Sequence, residues 1–554
     1  MALPTKPDVQ TGQFSADGSP WVNVAAKSSI DLDTLELSAD GSPWYGIEDA
    51  GTGGYTLTAS AGTFSLTGFA TSLLLGAHLL AGAGSFTLTG NDANLSVLNS
   101  YTISANAGAF ALTGVDTGLK AARTIGLSAG SFALTGEDAD LIETEALSLT
   151  ADAGVFTLTG VASGLRHGHL LSSSAGSFAL SGSAAEIDRG FRLTCESGAF
   201  ALSGQSAVLK YGRVLPLSAG VFTLTGINAG LATDGVFTAL AGTFALTGQD
   251  TGLIASRRLS ADAGVFTLTG QSAGIQRGRA LALDSGAFTL TGQGAALIAS
   301  RRLNADAGVF TLTGQSTGIQ RGRALALGSG AFTLTGQGTG LIASRRLSAD
   351  AGVFTLTGIN AGLVTEGVFS ALAGTFTLTG QDSGLSTYRR LSADAGVFAL
   401  SGQTAAVTRG RTLALDAGAF SLTGVDATLT KTSALTLTAE AGVFTLTGIN
   451  AGLAENGVFS ALSGSFLLTG QSAGLVAYRI IASDDGSFAL SGNSASLRVT
   501  RIISAEAGAF TLTGIQVFFG GGAVKRWNSI PISAIKTFNG IPRVDVKAIN
   551  GQTL

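Results

Sequence analysis

The stretch Gly264-Val265-Phe266-Thr267-Leu268-Thr269-Gly270 decides the fold, because its pattern, G-x-F-x-L-[TS]-G, recurs 21 times between Gly62 and Gly514. From Phe to Phe, seventeen of the twenty spacings are 22 residues and three are 24. A fixed period of that size marks one supersecondary unit stacked many times. Alternation in Phe-Thr-Leu-Thr is the two-residue period of a strand with one buried face, so Phe and Leu point inward and the threonines outward. The flanking glycines fit turns that need φ > 0.

Four apolar slots hold their place: the Phe, a Leu two residues on, Leu, Ile or Val nine on (Phe519 in the last unit), and nearly always Leu, Ile or Phe fifteen on. For Phe266 these are Leu268, Ile275 and Leu281. If the chain ran straight through the last two slots, Arg277 and Arg279 would share the buried face, which is too costly for unpaired charge. A bend is therefore expected there, at Gly278, Gly322 and Gly410 in their units. The result is three short strands per 22 residues, the size of one β-solenoid coil. The fold class read from the pattern is all-β, an elongated solenoid-like repeat array. Its alternatives are an antiparallel hairpin stack and an intertwined trimeric β-fibre. Arg257, Arg279, Arg301, Arg323 and Arg345 occupy one slot on successive units. Like charges at the ~4.8 Å strand spacing weigh against a strictly parallel stack.

A 554-residue chain ordinarily suggests several domains, but a repeat array escapes that rule because each unit contacts only its neighbours. Three segments are expected: 1–53, the array 54–519, and 520–554. With 80 glycines and 12% charged residues the chain is apolar on average. Yet its most apolar window, Leu73 to Leu80, contains Gly76 and His78, and no run approaches the ~18–20 residues of a spanning helix. Met1 to Trp21 lacks the apolar core of a Sec signal peptide, so the expectation is retention or export by another route. The net charge of −4 is spread thin, which speaks against nucleic acid as a partner. The single cysteine, Cys195, excludes an intrachain disulfide framework and reads as a small buried residue.

The ends differ from the array. Ser15-Ala16-Asp17-Gly18-Ser19-Pro20-Trp21 is repeated at Ser38-Ala39-Asp40-Gly41-Ser42-Pro43-Trp44, turn chemistry followed by a large packing surface. After Gly520-Gly521-Gly522 an 11-residue repeat begins, with Lys525-Arg526-Trp527 matched by Lys536-Thr537-Phe538 and with Asn539-Gly540 suited to a tight hairpin. Trp21, Trp44, Trp527, Phe538, Lys525 and Lys536 are the candidate partner-binding residues, since aromatic and basic side chains anchor interfaces and the array surface lacks clusters of them apart from its arginine bends. Either end can equally be read as a plain cap.

The Gly-rich F-x-L-T-G array, the Ser-Ala-Asp-Gly-Ser-Pro-Trp opening and the Ile535-Lys536-Thr537-Phe538-Asn539-Gly540 ending resemble the repetitive virion-associated and tail-fibre-like proteins of tailed bacteriophages and prophages. The resemblance implies a structural fibre in the virion, contacting other particle proteins and a host receptor or glycan, and it carries over no functional residue. A secreted adhesin or extracellular matrix repeat protein on the bacterial surface is the rival reading. A homo-oligomer, such as a trimer, is compatible with either.

Few residues suggest chemistry. Gly270-Gln271-Ser272-Ala273-Gly274 and its equivalents at Ser316 and Ser472 match the G-x-S-x-G of hydrolases, but that motif needs a strand-to-helix turn and a histidine partner. His167-Gly168-His169 would place two imidazoles on one strand face and is the one metal candidate. Against it, these positions correspond to Arg277 and Arg279 on the expected exposed bend. Asp262, Asp284 and Asp306 recur four before the Phe, as turn formers. No phosphate loop, zinc spacing or acid–base pair is present, so neither enzyme activity nor a cofactor is expected. Finally, a T-x-T pair occurs in 11 of the 21 units and resembles the ice-binding face of some antifreeze solenoids. Ala111, Ala179, Ala201, Ala399 and Leu467 interrupt it.

Overall fold

A computed structural model describes the array from Tyr55 to Thr513, apart from short corner stretches, and gives strand positions only for parts of 11–47 and 516–542. The residues fall into two units, Met1–Gly278 and Arg279–Leu554, each treated by itself. Both are all-β, with no helix among the described residues.

In the second unit the coil of Phe310 is built from Val309–Thr313, Ser316–Gln320 and Ala324–Leu327. Each strand pairs in parallel with its counterpart one period before and one period after, so Phe310 lies between Phe288 and Phe332 in the ladder. The second strands register Ile319 with Leu297 and Leu341, and the third register Leu325 with Leu303 and Leu347. Three parallel sheets therefore enclose the core. The first unit repeats the plan: Val221–Thr225, Asn228–Thr233 and Val236–Ala239 pair likewise with the coils on either side. This is a parallel β-solenoid, and the array's ladders are closed within one chain. The antiparallel hairpin stack and the intertwined fibre are thereby ruled out for the array.

The four expected apolar slots are buried, with Phe310 and Leu312 fully so and Ile319 and Leu325 5% exposed. Two further positions point inward, seven and seventeen after the Phe; the second is the slot in which the sequence already placed Cys195 as a small buried residue. They hold small or aliphatic residues such as Ala273 and Leu283, both buried. The Phe rings form a stack through the core. Where the third strand also carries Phe, as at Phe237 and Phe369, that ring inserts edge-on between two members of the stack. Phe237 contacts Phe244 and Phe266 at 4.5 and 4.7 Å, and those two rings are turned 47° from one another.

On the third strand a different set of arginines alternates with uncharged residues. Arg302 registers with Ala280 and Ala324, Arg346 with Ala324 and Val368, and Arg390 with Val368 and Thr412. Like charges are thus two coils apart, and the ~4.8 Å repulsion is avoided. The Arg257-to-Arg345 slot lies outside the described side chains, as do Gly278, Gly322 and Gly410. All three 24-residue spacings place their extra residues at this same second corner, between Asp92–Val97 and Thr102–Ala105, Asp138–Glu143 and Ser148–Ala151, and near Lys431 before Thr436–Ala439. An insertion there lengthens an arm between ladders and leaves Phe86 registered with Phe110.

The reading of the flanking glycines needs correction. Among the described glycines none has φ in the left-handed region. What excludes a side chain is the preceding coil: a Cβ on Gly264 would lie 2.6 Å from both the Gly242 carbonyl oxygen and the Ala239 Cβ. The corners are glycine because backbones pass too closely for a side chain.

The N-terminal segment joins this picture through its strands, whereas the strand pairs within 526–542 form separate sheets. Thr11–Ser15 pairs in parallel with Thr34–Ala39, which pairs with Thr63–Gly68. At the other end Thr537–Phe538 and Ile541–Pro542 form an antiparallel pair around Asn539-Gly540, the tight hairpin expected there.

Candidate functional site

A solenoid offers its outward faces as sites, and the three sheets differ in chemistry. On the first sheet the outward residues are the one before the Phe and the ones one and three after it, such as Val309, Thr311 and Thr313. None of these positions carries a charged side chain in any of the 21 units. Val309, Thr313, Val353 and Thr357 are exposed, and Thr311 and Thr355 half-buried.

The second and third sheets carry the charge. Asp92, Asp116 and Asp138 stand in register on successive coils. Lys210 forms an exposed ion pair with Glu186 of the preceding coil, and that hydrogen bond, followed by Glu186's charge, raises the Lys210 pKa. Asn450 Nδ2 donates to Asp426 Oδ1 at 2.7 Å across a coil step. The third sheet contributes the alternating arginines. On the second sheet Gly340, Gly362 and Gly384 floor an open trough beside Asn360 and Asp382.

Ser272, Ser316 and Ser472 are exposed, the first two at the start of strands that follow another strand and Ser472 within the continuous strand Ser465–Ala477, so the hydrolase motif lacks its helix. His167 and His169 belong to the strand Ala162–Ser173, which runs on through the expected bend, with Gly168 registered against Gly190. Their side chains lie outside the described residues. No group of three or more His, Cys, Asp or Glu able to hold a metal occurs among the described residues. His78 accepts from the Thr102 backbone N–H at 3.1 Å and shares a hydrogen bond with the Thr102 hydroxyl, tying one coil to the next. Asp262 and Asp306 occupy corners, each backbone N–H donating to the preceding coil.

Trp21 and Trp44 are registered with one another on parallel strands, and Trp527 and Phe538 each lie in a two-residue antiparallel pair. The side chains of these four, and Lys525 and Lys536 entirely, lie outside the described residues.

Cys195 is buried at 1% exposure, as the sequence indicated, and burial pushes its thiol up to about 12 from the ordinary 9.0. Below pH 9.0 both folded and unfolded thiols keep their proton, so the contribution to stability is complete; it is lost as pH rises from there through about 12. At pH 8 the folded protein is expected to resist iodoacetamide, reacting only in denaturant. Rapid labelling of the native chain would contradict the burial.

Comparison with protein families, with characterised proteins and with solved structures finds no match for this chain. Among the described residues no helix is long and apolar enough to cross a membrane.

Proposed function

We propose that this chain is a non-enzymatic structural fibre component of a phage or prophage particle, in which the coiled array spaces an anchoring end from an end that binds a host or partner. The observation that carries the reading is the three-ladder stacking, in which the coils of each unit are hydrogen-bonded to their neighbours around a Phe/Leu core. Such a design makes length by repetition and tolerates the gain or loss of whole periods. The array's outward surface is largely Thr, Ala, Ser and Gly, whereas the aromatic and lysine residues suited to anchoring contacts gather in 1–53 and 520–554. The resemblance in repeat style to tail-fibre-like proteins supports the particle setting.

Deletion tests this division of labour. Removing residues 201–244, two periods within the first unit, joins Phe200 to Ala245 in register; the variant is expected to fold and keep both attachment and partner binding. Removing 1–53 or 520–554 is expected to abolish one of those functions each. Particle incorporation, followed by immunoblotting of purified particles, and adsorption to host cells are the readouts. If both terminal deletions leave them intact while the internal deletion destroys either, the array itself is the binding surface. If no particle carries the protein and it is found instead at the cell surface, the adhesin reading replaces this one.

A further inference from the structure

The charge-free first sheet contains one stretch unlike the rest. Within the second unit, from Ala287–Thr291 through Val309–Thr313, Ala331–Thr335 and Val353–Thr357 to Thr375–Thr379, five successive strands carry the T-x-T pair without interruption. Their parallel register sets the threonines in two unbroken rows. Beneath them, successive Phe centroids are 5.0, 4.8, 4.7 and 4.7 Å apart, and the rings lie within 16° of parallel at every step. This is the longest run of stacked rings among the described coils, and it ends where the T-x-T run ends. Phe398 is tilted 47° from Phe376, with Phe369 wedged against both.

The threonine rows thus lie on the most regular part of the core, at ~4.8 Å along the stack and ~6.7 Å along each strand. Threonine at exposed strand positions is ordinary; the complete lack of charge is not, because solubility usually places charges on such a face. A partner for it has to be neutral and periodic on a similar grid. A second copy is the weaker candidate: five coils of five-residue strands present on the order of 400 Å², against the roughly 800 Å² that each partner buries in a stable complex. Ice satisfies both conditions. Its faces are uncharged, its oxygens repeat in two dimensions on a comparable scale, and alternating hydroxyl and methyl groups can hold water in that order.

We propose that the five-strand T-x-T face is an ice-binding surface, a function independent of any role of the chain in a particle. Ice-affinity partition of the fluorescently labelled full chain tests it, with the protein measured in slowly grown ice and in the remaining liquid. The wild type is expected to enter the ice several-fold more than a Thr333→Lys/Thr335→Lys variant. Thr445→Lys/Thr447→Lys, on a T-x-T pair outside the run, should behave like wild type. Circular dichroism checks that the variants fold, and Thr355→Lys/Thr357→Lys provides a second position in the run. Rejection of the wild type from ice as complete as that of the run variants would overturn the proposal, as would equal loss in the Thr445/Thr447 control. Self-association of the wild type that the Thr333/Thr335 variant abolishes would assign the face to a second copy and overturn it too.

Discussion

Replacing Phe310 with alanine is expected to cost about 3–5 kcal/mol, the upper range for a buried residue. The side chain is fully buried, and its ring stacks on Phe288 at 5.0 Å and on Phe332 at 4.8 Å, nearly parallel to both. The cavity cannot close cheaply, because hydrogen-bonded ladders on either side fix the coil spacing and hold the neighbouring rings at their own heights. The loss is local, since a repeat array does not unfold as one cooperative body. Hydrogen exchange is therefore the right measurement. Protection in Ala287–Thr291, Val309–Thr313 and Ala331–Thr335 should fall by about two to four powers of ten, with distant coils unaffected. A cost under about 1 kcal/mol would mean that the rings slide to fill the gap. Phe237→Leu is the counterpart: other coils hold Leu in that slot, so about 1 kcal/mol is expected.

That prediction rests on the part of the fold that was most legible in sequence. Phe and Leu at fixed spacing, with threonine between them, define an inward face whatever the strand direction. Parallel pairing was harder to see, because the arginine slot of Arg257 to Arg345 argued against it. The ladders nonetheless pair in parallel, and the neighbouring Arg302, Arg346 and Arg390 alternate with Ala324 and Val368; the Arg257-to-Arg345 slot itself lies outside the described residues. The inward alanines also escaped notice, since Ala273 or Ala295 reads as neutral in composition and becomes core only through its position on a strand. Of the candidate surfaces, the T-x-T rows could be read but their continuity looked poor, because interruptions were counted over the whole chain. Locally the pairs follow one another without a break from Thr289 to Thr379, whereas the regular rings beneath them appear only after coils are stacked in space. The terminal aromatics, singled out from composition alone, lie where the structure describes backbone and no side chains.

Glycine is where sequence and structure part most sharply, and two substitutions separate their explanations. Gly396→Ala is expected to cost about 3 kcal/mol, because overpacking against backbone cannot be relieved by a rotamer change. Its added methyl would meet the Gly374 carbonyl oxygen at 2.6 Å, with the Ala371 carbonyl oxygen and Cβ both at 2.7 Å. Since Gly396 is outside the left-handed region, the objection is contact alone. Gly362 faces outward from the strand Asn360–Thr365, where a Cβ meets nothing within 4 Å. Alanine there should be neutral or stabilise by about 0.4–1 kcal/mol by restricting the unfolded chain. Exchange protection of the coils around Phe354 and Phe398 in the two variants measures both effects. If Gly396→Ala proved harmless, the corner would have slack and glycine would not set the approach of successive coils. If Gly362→Ala proved as damaging, contact could not be the cause, because its added methyl has no neighbour to strike.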